Sequence, residues 1–495
     1  MGIVRNQSIK NSISFYIGMA IGAINTVIIY PNVFKDNPEY FGLIQILVAY
    51  ALVVSTFTTF GIPKTFVRFF PAIREKGQLY LLSLITPFLG FVLASFSYFL
   101  FKEQIFGLLN ASELLRDNFF YIILLVFFIG FYDVLTAISR SFLDAATPIF
   151  INEVFLKFYS MSILLLHWFG YLDFTTFLKI YLFGYFLKFT ILFVIQWRND
   201  RFKLQFSFKS LHLKQMLSFG LFVLVSGASI MIVTRLDMIM IGSLLDLKQV
   251  AFYTVAFFIG NVVKVPGKSI AAISSPLVAK AWEKKDMNQL QILYSKSSIN
   301  QLIIGGVLFL CIWLNIDEVF SLLPEKFSHG KWVVLFIGLA QLFNISTGIN
   351  GPIIVNSRYY RYDLITNVFL VFLTFITNYI FIPCDWKIVD ISISGINGAA
   401  LATALSVFFF NLVRLILIQV KMKMHPFSQK TIHTILVLFG LYFVISLLPI
   451  SGYVIFDIFW RTILVFTLFI PLLFGFNLSE DIKNIAKEIF KRMSN

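Results

Sequence analysis

Charge is scarce in this 495-residue chain: Asp, Glu, Lys and Arg together make up only 13% of it, against roughly 25% in a soluble globular domain. That shortage excludes an ordinary water-facing surface. Cysteine is scarcer still. Cys311 and Cys384 stand alone without CxxC spacing, which excludes a redox pair and a thiolate metal site. The five histidines, His167, His212, His329, His425 and His433, are scattered, and no HExxH, GxSxG or phosphate-cradling GxxxxGK occurs. The sequence therefore predicts no catalytic residue, no metal, no cofactor and no ATP hydrolysis. The chain is expected not to be an enzyme.

What is plentiful is apolar sequence, with 58% hydrophobic residues and a mean hydropathy of +0.84. A helix crossing a hydrocarbon core of about 30 Å needs roughly 20 such residues, and runs of that kind recur from end to end. Fourteen spans are predicted, at 12–30, 41–61, 79–100, 118–136, 149–169, 175–196, 215–235, 250–270, 299–315, 331–350, 363–382, 397–419, 434–449 and 459–477. The runs are apolar throughout rather than alternating, which excludes a barrel. The fold class is an all-α integral membrane protein.

Lys and Arg fix the expected orientation, because cytoplasmic loops collect them. With the N-terminus inside, the inside segments hold 25 basic residues and the outside loops seven, so both termini are predicted to be cytoplasmic. This topology, together with attraction to anionic lipid headgroups, accounts for the net charge of +15 and removes any need for nucleic acid. The tail "SEDIKNIAKEIFKRMSN" spaces Ile482, Ile485, Ile489 and Met493 as on one helical face and is expected either to lie along the inner headgroups or to be solvated.

A repeat is visible when the chain is slid by 204 residues. "IKNSISFYIGMAIGAINTVII" at 9–29 then overlies "LKQMLSFGLFVLVSGASIMIV" at 213–233, and the next spans end alike in "GIPKTFVRFFP" and "KVPGKSIAAISSP". An even number of spans separates the copies, so the halves run in parallel. The predicted organisation is an N-terminal six-helix bundle over 1–196, a basic cytoplasmic linker over 197–214 and a C-terminal six-helix bundle over 215–419. Two additional spans within 420–477 and an amphipathic cytoplasmic tail over 478–495 complete it. The two bundles are expected to be pseudo-symmetric about a central cavity.

Near the C-terminal end, Pro383 closes one apolar run, "CDWKIVDISIS" forms an outer loop, and "GINGAALATALS" begins the next span with small residues that let helices approach closely. The combination of "NYIFIP" and "GINGAALATA" resembles the polysaccharide transporter family, the Wzx-type lipid-linked oligosaccharide flippases of the MOP superfamily. "NPEYFGLIQILVAYA", "RLDMIMIGSLL", "VAFYTVAF" and "SSPLVAKAWEKKDMNQLQILYSKSS" carry the same resemblance along essentially the whole chain. It implies a flippase of the bacterial inner (plasma) membrane that moves undecaprenyl-pyrophosphate-linked oligosaccharide to the outer leaflet by alternating access, for a cell-surface glycan such as O-antigen. The implied partners are the lipid-linked oligosaccharide, membrane lipids and other polysaccharide assembly proteins. Two alternatives are weighed: an ion-coupled exporter like the MATE family, which should hold deep acidic residues, and a membrane glycan polymerase or ligase, which should carry a large outer loop.

A pyrophosphate substrate requires cations, and ionisable residues deep in a bilayer are costly enough to mark cavities or partners. Lys188, midway along the sixth span, is the first candidate, with pairing to a neighbouring helix as its alternative. Lys157 stands one turn after Glu153, so an ion pair competes with substrate contact. Lys264 and Lys268 share a face around Pro266, which is expected to kink the eighth span; snorkelling is the alternative. Arg235 and Asp237 close the seventh span as possible coupling or gating residues, and Asp237 matches the family's acidic position there; Arg235 could equally be an interfacial anchor, and a structural role is the favoured reading for both. Asp133 could titrate in ion coupling or, the favoured reading, pair with Arg140 two turns on. Related flippases of lipid-linked peptidoglycan precursor use arginines in their first two helices. This chain has only Asn25 and Gln45 there, so that set does not transfer.

Overall fold

A backbone inside lipid must satisfy its own N–H and C=O groups, and an α-helix does so within one segment. The computed structural model follows that constraint. It describes residues 2–73, 75–199, 205–206, 211–388, 391–449 and 451–484. Much of the basic linker, including Arg201, Lys203 and Lys209, and the tail beyond 484, with Ile485, Ile489 and Met493, lie outside the described residues. Thirteen of the described helices are long and apolar enough to cross a membrane.

The chain divides into two compact units, one ending at Thr254 and the other beginning at Val255. In the first, α1 (Gly2–Ala23) passes through a π-helical turn at Ile24–Ile29 into α2 (Tyr30–Val33). The central helix is α3 (Pro38–Thr58), whose Phe41, Leu43, Ile44, Ile46 and Leu47 are fully buried. A tight corner at Phe60 and Gly61 leads to the short α4 (Ile62–Phe69). Next come α5 (Lys76–Leu108), which presents Phe88, Phe96 and Phe99 outward, α6 (Glu113–Asn118) and α7 (Phe120–Ser141). The fifth span is α8 (Ala146–Phe150), a second π turn at Ile151–Phe155, and α9 (Leu156–Trp168). Asp173 caps α10 (Phe174–Arg198) by accepting from Thr176 N at 3.2 Å, as N-cap carboxylates do. The last full helix of this unit is α11 (Leu213–Leu244), which packs on α3 and α4.

The eighth span starts as α12 (Leu247–Asn261), tightens into a 3₁₀ turn at Val262–Lys264, and continues as α13 (Val265–Glu283). The interruption sits immediately before Pro266, where the missing N–H breaks the helical ladder. In the second unit α14 (Met287–Trp313) is followed by α15 (Ile316–Ser321) and α16 (Lys331–Ser346). At 16 residues α16 reaches about 24 Å, four residues shorter than the predicted tenth span. Gly348 turns the chain at φ +70 into α17 (Asn350–Val355), then α18 (Arg361–Phe381).

The small-residue restart takes its form next. After α18 a two-stranded hairpin, β1 (Trp386–Ile388) and β2 (Ile391–Ile393), leads into α19 (Gly395–Met422). Gly395 takes φ +55 and donates its N–H to Ile382 O at 2.9 Å, and a Cβ at Gly398 would overlap Phe381 O. The small residues are therefore the condition for α18 and α19 to touch backbone to backbone. Two further helices, α20 (Gln429–Ser446) and α21 (Val454–Gly475), bury Leu441, Ile445, Val465 and Phe469 against α14. Arg461 ties α21 to that end of the unit, donating from Nη1 to Leu314 O and Glu318 Oε1 at 2.8 Å each.

Candidate functional site

The short helix α4 is amphipathic by residue order. Ile62, Thr65 and Phe66 are buried in the unit's core, which leaves Lys64 and Arg68, four residues apart, together on the opposite side. Gly61 opens the helix at φ +69, and Pro63 follows where no helical N–H is needed.

On that side lies an open cavity of about 580 Å³ lined by α3, α4, α7 and α11. One wall is polar: Thr56 and Thr59 from the end of α3, Lys64 and Arg68 from α4, and Asp133, Thr136 and Arg140 from α7. The other is apolar, built by Val223, Leu224, Gly227, Ile230 and Met231 of α11. The Arg68 guanidinium stands 4.1 Å over the Phe219 ring of α11, a cation–π contact that holds it at the rim. Three cations thus face one carboxylate, and the volume is that of a small-molecule site. The arrangement suits an anion attached to an apolar tail.

Asp133 and Arg140 both line this cavity, but among the described residues Asp133 makes no ion pair, so the expected pairing with Arg140 is not formed. They lie seven residues apart on one face of α7, within electrostatic reach of each other but not in ion-pair contact.

Lys188 is placed elsewhere. It is buried within the first unit and is not part of the cavity lining, though its charge reaches Asp133 of that lining; its ammonium donates to Asn152 Oδ1 at 3.1 Å and lies 4.5 Å over the Tyr132 ring and 5.0 Å over Tyr185. The π turn at Ile151–Phe155 carries both Asn152 and Glu153, and π turns commonly re-aim side chains at such positions. Asn152 Nδ2 donates to Glu153 Oε1 at 3.0 Å, and Glu153 Oε2 is ion-paired to Lys157 at 2.8 Å. Lys157 also donates to Gly18 O of α1 at 3.1 Å. The two lysines read separately in the sequence are therefore ends of one chain of contacts linking α10, the π turn, α9 and α1.

Lys264 ends the 3₁₀ turn of the eighth span, half-buried, and Lys268 is exposed one turn further; both make contacts within the protein. They belong to the second unit. Asp237 is buried and accepts from the Tyr253 hydroxyl at 2.6 Å. Arg235 is half-buried in α11, with its Nε enclosed and without a hydrogen-bond partner.

Sequence reasoning counted Lys64 and Arg68 only as topology signals and took Arg140 as a partner for Asp133. The cue was present in "IPKTFVRF", whose charges recur every four residues while the apolar positions fall between them. A second polar cluster was also missed. Arg414 of α19 pairs with Asp363 of α18 at 2.5 Å, donates to Thr366 Oγ1 and Asn367 Oδ1 at 3.1 Å each, and is buried. Beside it Asn411 Nδ2 donates to Asn344 Oδ1 at 3.0 Å while its Oδ1 accepts from Asn350 at 3.1 Å.

Residues 7–282 match the model of a family described as polysaccharide biosynthesis protein. The chain belongs to this family. Among solved structures, the lipid II flippase MurJ in an inward closed conformation superposes with a TM-score of 0.72 at 17% identity, covering 94% of this chain and 98% of that one. An inward-facing multidrug resistance MATE transporter of the MOP superfamily gives 0.61 at 15% identity, covering 84% and 98%. This family member therefore has the fold of MOP-superfamily transporters. An uncharacterized membrane protein of Methanocaldococcus jannaschii is 26% identical over 299 residues, 57% of this chain and 54% of that protein. The chain spans about half the length of that curated relative.

Proposed function

We propose that the protein is a flippase that moves an undecaprenyl-pyrophosphate-linked oligosaccharide from the inner to the outer leaflet by alternating access, and that it is not an enzyme. The observation that carries this reading is the two-walled cavity of the first unit. Lys64, Arg68 and Arg140 supply an anion-binding wall, and α11 supplies an apolar wall facing it. A pyrophosphate on a polyprenyl chain has that same division. Arginine offers paired donors to phosphate oxygens and lysine a point charge. The family match to polysaccharide biosynthesis and the fold shared with a lipid II flippase support the same class of cargo. The basic bias of one set of loops supports a plasma-membrane location with both termini cytoplasmic.

Depleting the protein should accumulate a lipid-linked glycan intermediate on the cytoplasmic leaflet. Complementation with Lys64→Ala/Arg68→Ala should fail to clear it. If depletion leaves lipid-linked intermediates unchanged, the reading is wrong.

One observation favours a second reading, an ion-coupled exporter: Asp133 stands in the cavity without an ion-pair partner, as a titrating group would. An exporter would lose transport on Asp133→Asn, whereas a flippase held by the cationic wall would keep it.

A further inference from the structure

The wall that α11 lends to the cavity does not stop at Met231. Leu224, Gly227 and Met231 recur at helical spacing, and the next position on that face, one turn on, is Arg235. It lies about 12 Å beyond Gly227 along the helix axis, at ~1.5 Å per residue. A Cβ at Gly227 would have no neighbour within 4 Å, so this face is open where it borders the cavity.

Arg235 is a guanidinium deep in an apolar helix, and such a group is retained where it has a partner or a task. Among the described residues no carboxylate pairs with it and no hydrogen bond reaches it, and its Nε is enclosed. The nearest acid in sequence, Asp237, is committed to the Tyr253 hydroxyl at 2.6 Å. The Tyr185 phenol lies within electrostatic reach of Arg235. Tyr185 in turn adjoins Tyr181, ring centroids 6.5 Å apart, and Tyr181 adjoins Tyr30, so a line of three phenols from α10 and α2 ends within reach of one unpaired cation. Lys188, 5.0 Å from the Tyr185 ring centroid on its own account, adds a second positive charge to this neighbourhood rather than a counter-ion.

Resting on the flippase reading, we propose that Arg235 and the Tyr30, Tyr181 and Tyr185 cluster form a second station for the substrate's pyrophosphate. It receives the anion after Lys64, Arg68 and Arg140 release it. The guanidinium supplies charged donors to phosphate oxygens, and the phenols supply neutral hydroxyl donors. A path with one strong anion site would trap its cargo. Two weaker stations on one helix face let it advance.

The test uses the full-length protein and undecaprenyl pyrophosphate as probe, with equilibrium binding measured in detergent and flipping measured in proteoliposomes by access of a soluble phosphatase. Lys64→Ala/Arg68→Ala should weaken binding about tenfold or more, as loss of charged hydrogen-bond donors does. Arg235→Gln should leave binding within about twofold and slow flipping about tenfold or more. Arg235→Lys should restore most of the rate, since charge at that point is what the station requires. If Arg235→Gln flips at the wild-type rate, the station is overturned while the proposed function stands. If it loses binding, Arg235 belongs to the cavity site and the separate station is overturned. If Arg235→Lys restores nothing, the residue is a packing element and the proposal falls. A wild-type protein that neither binds nor flips the lipid removes the flippase reading and the station with it.

Discussion

Lys188 donates to Asn152 Oδ1 at 3.1 Å, and that bond joins the sixth span to the π turn of the fifth. With Tyr132 and Tyr185 on its flanks, the ammonium is satisfied inside the protein. Lys188→Met should lower stability by about 1–3 kcal/mol through the stranded Asn152 acceptor and leave binding of undecaprenyl pyrophosphate unchanged. Thermal unfolding in detergent beside a binding isotherm decides it. Normal stability with a large loss of binding would make Lys188 an anion ligand instead.

Asp133 is the one carboxylate among the cavity's three cations. Asp133→Asn should tighten anion binding several-fold, since removing a like charge near a bound phosphate is worth on the order of 1 kcal/mol at protein-surface screening. The gain should shrink as salt rises. Binding measured at low and high ionic strength reads this directly.

Two glycines make opposite predictions. A Cβ at Gly398 would overlap Phe381 O, whereas one at Gly227 meets nothing within 4 Å. Gly398→Ala should cost about 1–3 kcal/mol or more as an overpacked contact, seen as lost yield and a lower Tm. Gly227→Ala should fold normally.

Buried Arg414 pairs with half-buried Asp363 at 2.5 Å between α19 and α18. Removing Asp363 should destabilise by about 3–5 kcal/mol, because Arg414 is left as a buried unpaired charge, and removing Arg414 should cost less, because Asp363 keeps access to solvent. The double variant Arg414→Met/Asp363→Leu should cost less than the sum of its parts. A double-mutant cycle on unfolding measures the coupling.

At the beginning of the tail, Lys296 holds Asp481 at 2.8 Å, and that hydrogen bond keeps the Asp481 carboxyl below its usual range. A lowered folded-state pKa gives stabilisation that is complete above the ordinary carboxylate pKa of about 4 and lost as pH falls through the folded value. The segment 479–484 should therefore stay docked at neutral pH and loosen only in acid. Asp481→Asn should loosen it at all pH values, and limited proteolysis across a pH series reports both.

Length and hydropathy alone made the membrane helices legible, because lipid leaves the backbone few alternatives. The tenth span was misjudged in extent because Gly348 adopts a left-handed turn inside an apolar run, and hydropathy does not register backbone handedness. Pro266 and the "GINGAALATA" stretch were legible because each acts locally, through a missing N–H and through missing side-chain bulk. The cavity was not. Lys64 and Arg68 sit where any loop cation would satisfy the orientation rule, and nothing local shows that "IPKTFVRF" folds back as a helix beside α7 and α11. Lys188 and Arg414 show the same limit from two sides: the sequence marked one as an anion ligand or a helix partner without naming the partner and passed over the other, and the partners of both lie on other helices, 36 and 51 residues away.

The corner at Gly61 bears on what such a transporter can carry. There α4 meets α11 with nothing but main chain between them, since a Cβ on Gly61 would run into Gly220 O. The distance between the charged wall and the greasy wall is therefore set by atoms that have no rotamers to change. Such a gauge is strict about the width of what lies in it and indifferent to what trails outside. It would admit a diphosphate on a thin isoprenoid stem whatever sugars hang beyond, so that swapping the glycan should be tolerated far better than swapping the anchor.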